Sequence, residues 1–381
     1  MFTGPELSRF RKKLLTWFAQ FQRDLPWRRN KDPYRVWLSE IMLQQTRVAA
    51  AIPYYERFLQ RFPDVAALAE APEEEVLRYW AGLGYYSRAR NLQKAAKQIV
   101  AEHQSVFPHS PERALTLAGI GPYTAPAILS IAYGTPLAVL DGNVARVIAR
   151  LQAVRGDIRS ASRWQGLQKT ADSLLAPSAP GDWNQAMMEL GAVICTPKSP
   201  QCLLCPVAEF CHARKLGLVN CIPEKRNKRV PVEITLATLV LLDRRGHTLL
   251  LPPPESTATT ATQQEVSALL SKMWHFPTIQ ADRNPADELH ALANTLFPRE
   301  SLAQNFHPLA KVRHAVTYRQ ITLLPFRLDV AAFPRMPHAK ILPLHDLSQV
   351  PISNLTRKVA RAAMQSNKHP QEPFTRPTAL A

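Results

Sequence analysis

Apolar residues recur every three to four positions through most of the first 220 residues, the period of helices packed on one face. Residues 6–22 set Phe10, Leu14, Trp17, Phe18 and Phe21 at this spacing among basic residues. A rigid aromatic and basic corner follows, Leu25-Pro26-Trp27-Arg28. Asp32 and Pro33 then read as the N-cap and first residue of a helix. Its apolar side carries Trp37, Leu38, Ile41, Met42 and Val48. Glu40 lies amid these bulky neighbours; a lone glutamate in such a helix ordinarily sits at the edge of the buried face with its head in water. Gln44, Gln45 and Thr46 come next. Helical patterns cover 52–62 and 72–81, break at Gly82-Leu83-Gly84, and resume after Tyr85 and Tyr86 as a basic helix with Arg88, Arg90, Lys94 and Lys97. The same period returns over 144–152, 163–175 and 184–194.

Beyond residue 231 the apolar positions become β-rich. Residues 234–242, the turn Arg244-Arg245-Gly246 and residues 247–251 carry a hairpin signature. A second strand pair falls in 308–330, and a basic helix over 354–364 closes the pattern. Residues 252–262, rich in Pro, Thr and Ala, read as a flexible loop. The expected layout is an all-α domain over 1–222, a polar basic linker over 223–231, an α+β domain over 232–368, and a disordered tail over 369–381.

Charge narrows the class of partner. The 381 residues carry a formal charge of +17, which suits an anionic polymer, nucleic acid before membrane surface. The N-terminal segment mixes Arg9, Arg11, Lys12 and Lys13 with apolar residues, unlike a signal peptide, and no apolar run reaches the ~20 residues of a membrane span. A soluble, cytoplasmic protein is expected. Four of the five cysteines lie within seventeen residues, Cys195, Cys202, Cys205 and Cys211, spaced C-x6-C-x2-C-x5-C. Four thiolates in one short loop form a complete set of soft ligands for zinc or an iron–sulfur cluster. Cys221 stands apart as a bystander.

The stretch 115–143 combines two further signals. Gly119 and Gly121 bracket Ile120 in a tight turn, Pro122 is placed to start a helix, and Ala127, Ile128, Ile131 and Ala132 continue at helical spacing. Such a hairpin at a helix N-terminus can grip a phosphate; an ordinary helix–turn–helix joint would look the same. Asp141 follows closely, and an acid behind a phosphate-gripping hairpin suggests chemistry on a nucleic acid backbone or sugar.

Taken together, LPWR at 25–28, WLSEIMLQQTRV at 37–48, GLGYYSRARNL at 82–92, the hairpin with LDGNVARV at 140–147, NQAMMELGAVIC at 184–195 and the cysteine loop resemble adenine DNA glycosylases of the MutY type. These belong to the helix–hairpin–helix superfamily that includes endonuclease III. The resemblance covers nearly all of residues 20–215; the C-terminal half is more weakly similar to a Nudix-like domain. It implies a multidomain protein: an all-α helix–hairpin–helix glycosylase domain with an Fe–S cluster lobe, followed by the α+β Nudix-like domain. The lobe would hold a 4Fe–4S cluster on Cys195, Cys202, Cys205 and Cys211.

The implied activity is removal of adenine mispaired with 8-oxoguanine or guanine from duplex DNA, by a monomer. Breaking an adenine–sugar bond needs an acid for the base and a carboxylate facing the cationic sugar. The resemblance gives the first role to Glu40, whose pKa apolar surroundings would raise, and the second to Asp141, supported by Asn143 and Tyr123. Gln185 would hydrogen-bond the flipped adenine, walled by Leu25, Trp27 and Arg28. Tyr85 and Gln45 match residues that wedge into the duplex, Leu43 and Thr46 line the opposite-base side, and Gly119 and Gly121 form the DNA-gripping hairpin. Bifunctional relatives carry a lysine two residues after the second hairpin glycine; Tyr123 stands there, and a phenol cannot form an imine, so the enzyme is expected to be monofunctional.

Three departures accompany the match. Pro126 replaces a small residue, no acidic REUxEE Nudix core is present, and Val316-Thr317-Tyr318 stands where the family reads oxidised guanine with Phe-Ser-His. Two other readings are a glycosylase for another lesion and a catalytically silent Fe–S DNA-binding module; retention of Glu40 and Asp141 argues against the latter.

Overall fold

The computed structural model describes residues 3–224, 230–253, 270, 273–281, 285–297, 306–316 and 318–366. The chain divides into two compact units. The first joins Met1–Ala71 with Ser87–Asn227, and the second joins Pro72–Tyr86 with Lys228–Ala381.

The helices in chain order begin with α1 (Gly4–Phe21), α2 (Pro33–Leu43), α3 (Val48–Arg61) and α4 (Val65–Glu70). Next come α5 (Glu73–Trp80), which belongs to the second unit, α6 (Ser87–His103), α7 (Pro111–Thr116) and α8 (Thr124–Tyr133). The helical part ends with α9 (Gly142–Gln152), α10 (Ala161–Leu174), α11 (Pro180–Glu189) and the short α12 (His212–Lys215). Local chemistry sets several starts. Asp32 caps α2 by accepting from the Arg35 N–H, Ser110 caps α7 through Arg113, and Thr3 with Glu6 forms a capping box on α1.

Within this unit one core gathers Trp37, Phe58, Phe62 and Phe107, with the Tyr34 hydroxyl donating to the Phe62 carbonyl at 2.8 Å. The other packs Phe10, Leu14 and Phe18 of α1 against Ile148, Trp183 and Met187, with Cys195, Cys205 and Cys211 at its margin. Helix α1 and the cysteine region therefore share one core.

Two helix boundaries differ from the sequence pattern. Helix α2 stops at Leu43, and Val48 instead begins α3. The stop is made by Arg88, whose guanidinium donates to the carbonyls of Ile41 (2.8 Å), Met42 (3.0 Å) and Gln44 and also to the Thr46 hydroxyl. Arg88 is thus buried as a helix terminator. Helix α8 starts at Thr124, two residues after Pro122; Pro126 is its third residue, where a missing N–H breaks no intrahelical bond.

The second unit holds a mixed sheet of β1 (Val232–Leu242), β2 (His247–Leu250), β3 (Thr278–Gln280), β4 (His307–Pro308), β5 (Val312–Val316), β6 (Arg319–Asp329) and β7 (Lys340–Pro343). Its strand order is β4-β6-β1-β2-β7, with β3 on β1 and β5 on β6. The expected 234–251 hairpin is realised only at its tip, where Leu242 faces Thr248. Strand β1 runs parallel to β6 along its whole length, and β2 pairs antiparallel with β7. The reason is that both faces of β1 are buried, which makes it central. Leu236, Val240 and Leu242 pack with Val359 and Ala363 of α14 (Asn354–Ser366), while Ala237, Leu239 and Leu241 pack with Leu289 and Ala293 of α13 (Pro285–Leu296). The strand pair expected in 308–330 is the β5–β6 hairpin, with Tyr318 at its turn. Thr317, most of the 252–262 loop, part of the linker and the tail lie outside the described residues. Among the described residues no helix is long and apolar enough to cross a membrane.

Candidate active site

A cleft of about 390 Å³ opens within the first unit. Its walls come from the corner at residues 25–28, from α2 and the turn after it, and from the starts of α8 and α9 and the end of α11. Leu25, Trp27, Arg28, Glu40, Leu43, Gln45, Thr46, Tyr123, Asp141, Asn143 and Gln185, all named from sequence, line it together. Gly119 and Gly121 of the hairpin do not line this cleft; Tyr85 and Tyr318 belong to the second unit.

Glu40 is only 7% exposed, so its head is not in water as the isolated helix pattern suggests. Burial pushes its carboxyl up to about 7, the Tyr123 hydrogen bond pulls it down, and the charge of Asp141 pushes it up again. Tyr123 donates its hydroxyl to Glu40 Oε2 at 2.6 Å. Burial and the two carboxylates hold the phenol well above its ordinary value, so it remains a donor.

Asp141 is the N-cap of α9. Oδ1 accepts the Val144 N–H at 2.7 Å and Oδ2 accepts the Asn143 amide at 3.1 Å. Burial raises this carboxyl, opposed by the Val144 and Asn143 backbone donors and by the nearby Arg146. The helix N-terminus adds a partial positive charge that favours the carboxylate. Of the two residues expected to support Asp141, Asn143 reaches it and Tyr123 turns to Glu40.

Gln185 projects from α11 into the cleft, its amide donating weakly to the Gly181 carbonyl at 3.4 Å. Gln45 sits in the left-handed backbone region at φ 60°, as does Tyr85 at φ 48°. Non-glycine residues rarely adopt this conformation, and it concentrates at functional sites. Gly119 also has positive φ, and a Cβ there would stand 2.7 Å from Asn91 Cβ; nothing lies within 4 Å of one at Gly121.

Sequence reasoning passed over the groups that brace this cleft. Glu189, 1% exposed, accepts from Arg23 at 2.6 and 2.7 Å and from Arg28 at 2.9 Å. Although burial opposes ionisation, the two guanidiniums hold its carboxyl below the usual range. This pins the 23–28 corner to α11. Asn184 accepts from the Val139 N–H and donates to Ser130 and the Leu137 carbonyl, fixing the strand-like run into Asp141. Arg146 bonds the Asn143 side chain (2.9 Å) and the carbonyls of Gly191 (2.8 Å) and Cys195 (2.9 Å). Arg150 bonds Cys195 Sγ at 3.2 Å and the Thr196 carbonyl at 2.8 Å. Two arginines four residues apart among the apolar residues of α9 were the available signal.

The four cysteines form one interacting set. Burial pushes the Cys205 thiol up to about 12, and Cys195, Cys211 and Cys202 all push it the same way. Thiolates so placed repel one another unless cationic iron lies among them, so the donor set fits an iron–sulfur group. Among the described residues no three His, Cys, Asp or Glu side chains converge as ligands of a single ion.

Comparison with known proteins agrees with this geometry. Residues 38–171 match the HhH-GPD superfamily base excision DNA repair protein family, and residues 195–211 match the iron–sulfur binding domain of endonuclease III. The chain is 34% identical to the adenine DNA glycosylase of Homo sapiens over 415 residues, covering 93% of this chain and 74% of that one. It is 38% identical to the adenine DNA glycosylase of Buchnera aphidicola subsp. Baizongia pistaciae over 245 residues, covering 63% and 68%. The solved structure of a thermostable thymine-DNA glycosylase superimposes with a TM-score of 0.51 at 26% identity, over 55% of this chain and 97% of that one.

Proposed function

The chain belongs to the adenine DNA glycosylase family, and from that premise we propose that it hydrolyses adenine from duplex DNA opposite 8-oxoguanine or guanine, without cutting the strand. The observation that carries this reading is the pairing across one cleft of a buried, Tyr123-bonded Glu40 with a capped Asp141.

The roles follow from the two environments. Adenine leaves the base stack and enters the cleft, where Gln185 hydrogen-bonds it beside Leu25, Trp27 and Arg28. Glu40, held protonated by burial, gives its proton to the base as the glycosidic electron pair departs with it. The sugar becomes cationic, and the Asp141 carboxylate faces that charge, steadied by Asn143 and the Val144 N–H. Water then adds to the sugar carbon and loses a proton to the Glu40 carboxylate, restoring the acid. Tyr123, occupying the lysine position of lyase relatives, supplies no nitrogen for an imine.

Cys195, Cys202, Cys205 and Cys211 would hold a 4Fe–4S cluster, which when bound ties residues 195–211 into one rigid loop. The glycosylase domain would span residues 1–222 and a Nudix-like domain residues 232–368. Tyr318, 40% exposed beside Arg319 at the β5–β6 turn, and Thr317 would face the oxidised guanine. Gly119 and Gly121 would grip a phosphate, and Gln45 and Tyr85 would enter the duplex, with Leu43 and Thr46 on the opposite-base side. The protein is expected to act as a monomer.

Base release from duplexes that place adenine opposite 8-oxoguanine, guanine, cytosine or thymine tests this directly. Adenine should be freed fastest opposite 8-oxoguanine, then guanine. Release of an oxidised pyrimidine with intact adenine would sink the reading.

A further inference from the structure

Residues 72–86 belong to the second unit, although the chain on either side belongs to the first. Polar contacts hold this segment at both ends. Glu74 Oε1 accepts from Lys340 Nζ at 2.8 Å and from the Trp274 indole N–H at 3.1 Å. The same ammonium stands 4.5 Å from the Trp274 ring centroid. Farther along, the Asn354 amide donates to the Gly82 carbonyl at 3.0 Å, and Arg357 reaches the Ala81 carbonyl at 3.5 Å. The Tyr86 hydroxyl donates to the Ile352 carbonyl at 3.4 Å.

These contacts flank one residue. Leu83 and Tyr86 are buried, whereas Tyr85 is 44% exposed at φ 48°. Gly82 at φ 114° and Gly84 at φ 72° make the turn that presents it, and the Trp80 indole donates to the Gly84 carbonyl at 3.3 Å. An aromatic residue keeps such a conformation only where its surroundings over-determine it.

We infer that the second unit positions Tyr85: Asn354 and the Trp274–Lys340–Glu74 bridge fix the 82–86 turn and thereby the direction in which the ring meets the base stack. Asn354 and Lys340 are positioning residues and touch no reacting atom. The turn that carries Tyr85 is thereby held by the same unit that carries Tyr318. This inference rests on the proposal that Tyr85 enters the duplex.

The test uses full-length protein and a duplex with 2-aminopurine stacked beside 8-oxoguanine, opposite a cleavage-resistant 2′-fluoro adenosine. Unstacking on binding raises 2-aminopurine fluorescence. Tyr85→Ala should abolish most of the rise, and Asn354→Ala should reduce it and weaken binding about fivefold, the scale of one net hydrogen bond. The double variant should be no worse than Tyr85→Ala, because both act through one ring. Should Asn354→Ala not fold, Lys340→Met, at a half-exposed position, breaks the Glu74 bridge with the same expected signature. A lost rise with Tyr85→Ala but wild-type behaviour of Asn354→Ala and Lys340→Met overturns the inference and leaves the Tyr85 reading standing. Additive losses in the double variant also overturn it. An unchanged rise with Tyr85→Ala overturns both.

Discussion

The Tyr123 hydroxyl lies 2.6 Å from Glu40 Oε2, a hydrogen bond between residues 83 positions apart. It stabilises the carboxylate of the group that burial pushes toward the neutral acid. Glu40 is therefore poised: neutral enough to donate near pH 7, and not so basic that it cannot release the proton.

A pH profile follows with a definite sign. Glu40 must be protonated to act, so single-turnover adenine release should fall as pH rises through about 7. Tyr123→Phe removes a bond that favours the carboxylate, so the limb should move to higher pH. Stability runs in parallel. Because the folded pKa lies above 4.5, the stabilising preference for protonated Glu40 is full below about 4.5 and lost as pH rises through about 7. Glu40→Gln should thus gain on wild type by roughly 1–3 kcal/mol above neutrality, by the linkage of proton binding to folding. Urea melts on both sides of neutrality read this; no pH dependence in the difference would refute it.

Asp141→Asn keeps an N-cap acceptor for α9 and removes the charge. The fold and affinity for an abasic-site duplex should persist while adenine release drops by about 10²-fold or more, the range for losing a positioned catalytic group. Glu40→Gln should lose activity on a similar scale. Borohydride should trap little wild-type enzyme on DNA; efficient trapping would mean that an amine attacks the sugar.

The two hairpin glycines should respond differently to a methyl group. Gly119→Ala forces positive φ on alanine and drives Cβ to 2.7 Å from Asn91. A loss of about 1–3 kcal/mol is expected, in the range for strained backbone, with weaker DNA binding. Gly121→Ala meets nothing within 4 Å and should melt like wild type. Equal thermal shifts in the two variants would contradict this account.

Purified protein should be brown, with about four iron and four acid-labile sulfide per chain for a 4Fe–4S cluster. Stoichiometric zinc without iron after anaerobic isolation would exclude that assignment. Arg146→Met should lower turnover even with iron content intact, since it frees the Asn143 side chain that steadies Asp141.

Much of the cleft wall was legible because its marks are local: the apolar period of α2, the Asp32 cap, the glycines of the turns. Glu40 was misread in isolation because its burial is supplied by Tyr123 and by chain far from α2. Arg88 looked like one cation among several on a basic helix; only the folded chain reveals that it ends α2. Glu189, Asn184 and Arg146 act through partners spread over more than 40 residues, which no periodicity records. In the second unit, β1 and β2 looked like a simple hairpin because they are adjacent in sequence. The parallel partner β6 lies some eighty residues on, and pairing at that range leaves no pattern in either strand alone.

The placement of residues 72–86 also bears on how the protein is made. Synthesis must pass more than 140 residues beyond Tyr86 before the second unit resumes at Lys228. At ribosomal rates of roughly 5–20 residues per second, that is a delay of roughly 7–30 seconds. Throughout it Trp274, Lys340, Asn354 and Ile352, which bond to Glu74, Gly82 and Tyr86 in the finished protein, have not yet been made. The two halves are therefore not consecutive folding events: completion of the second requires a segment synthesised between the two stretches of the first. Severing the chain at the linker would separate this segment from its body, which makes point substitutions the cleaner means of assigning work to either half.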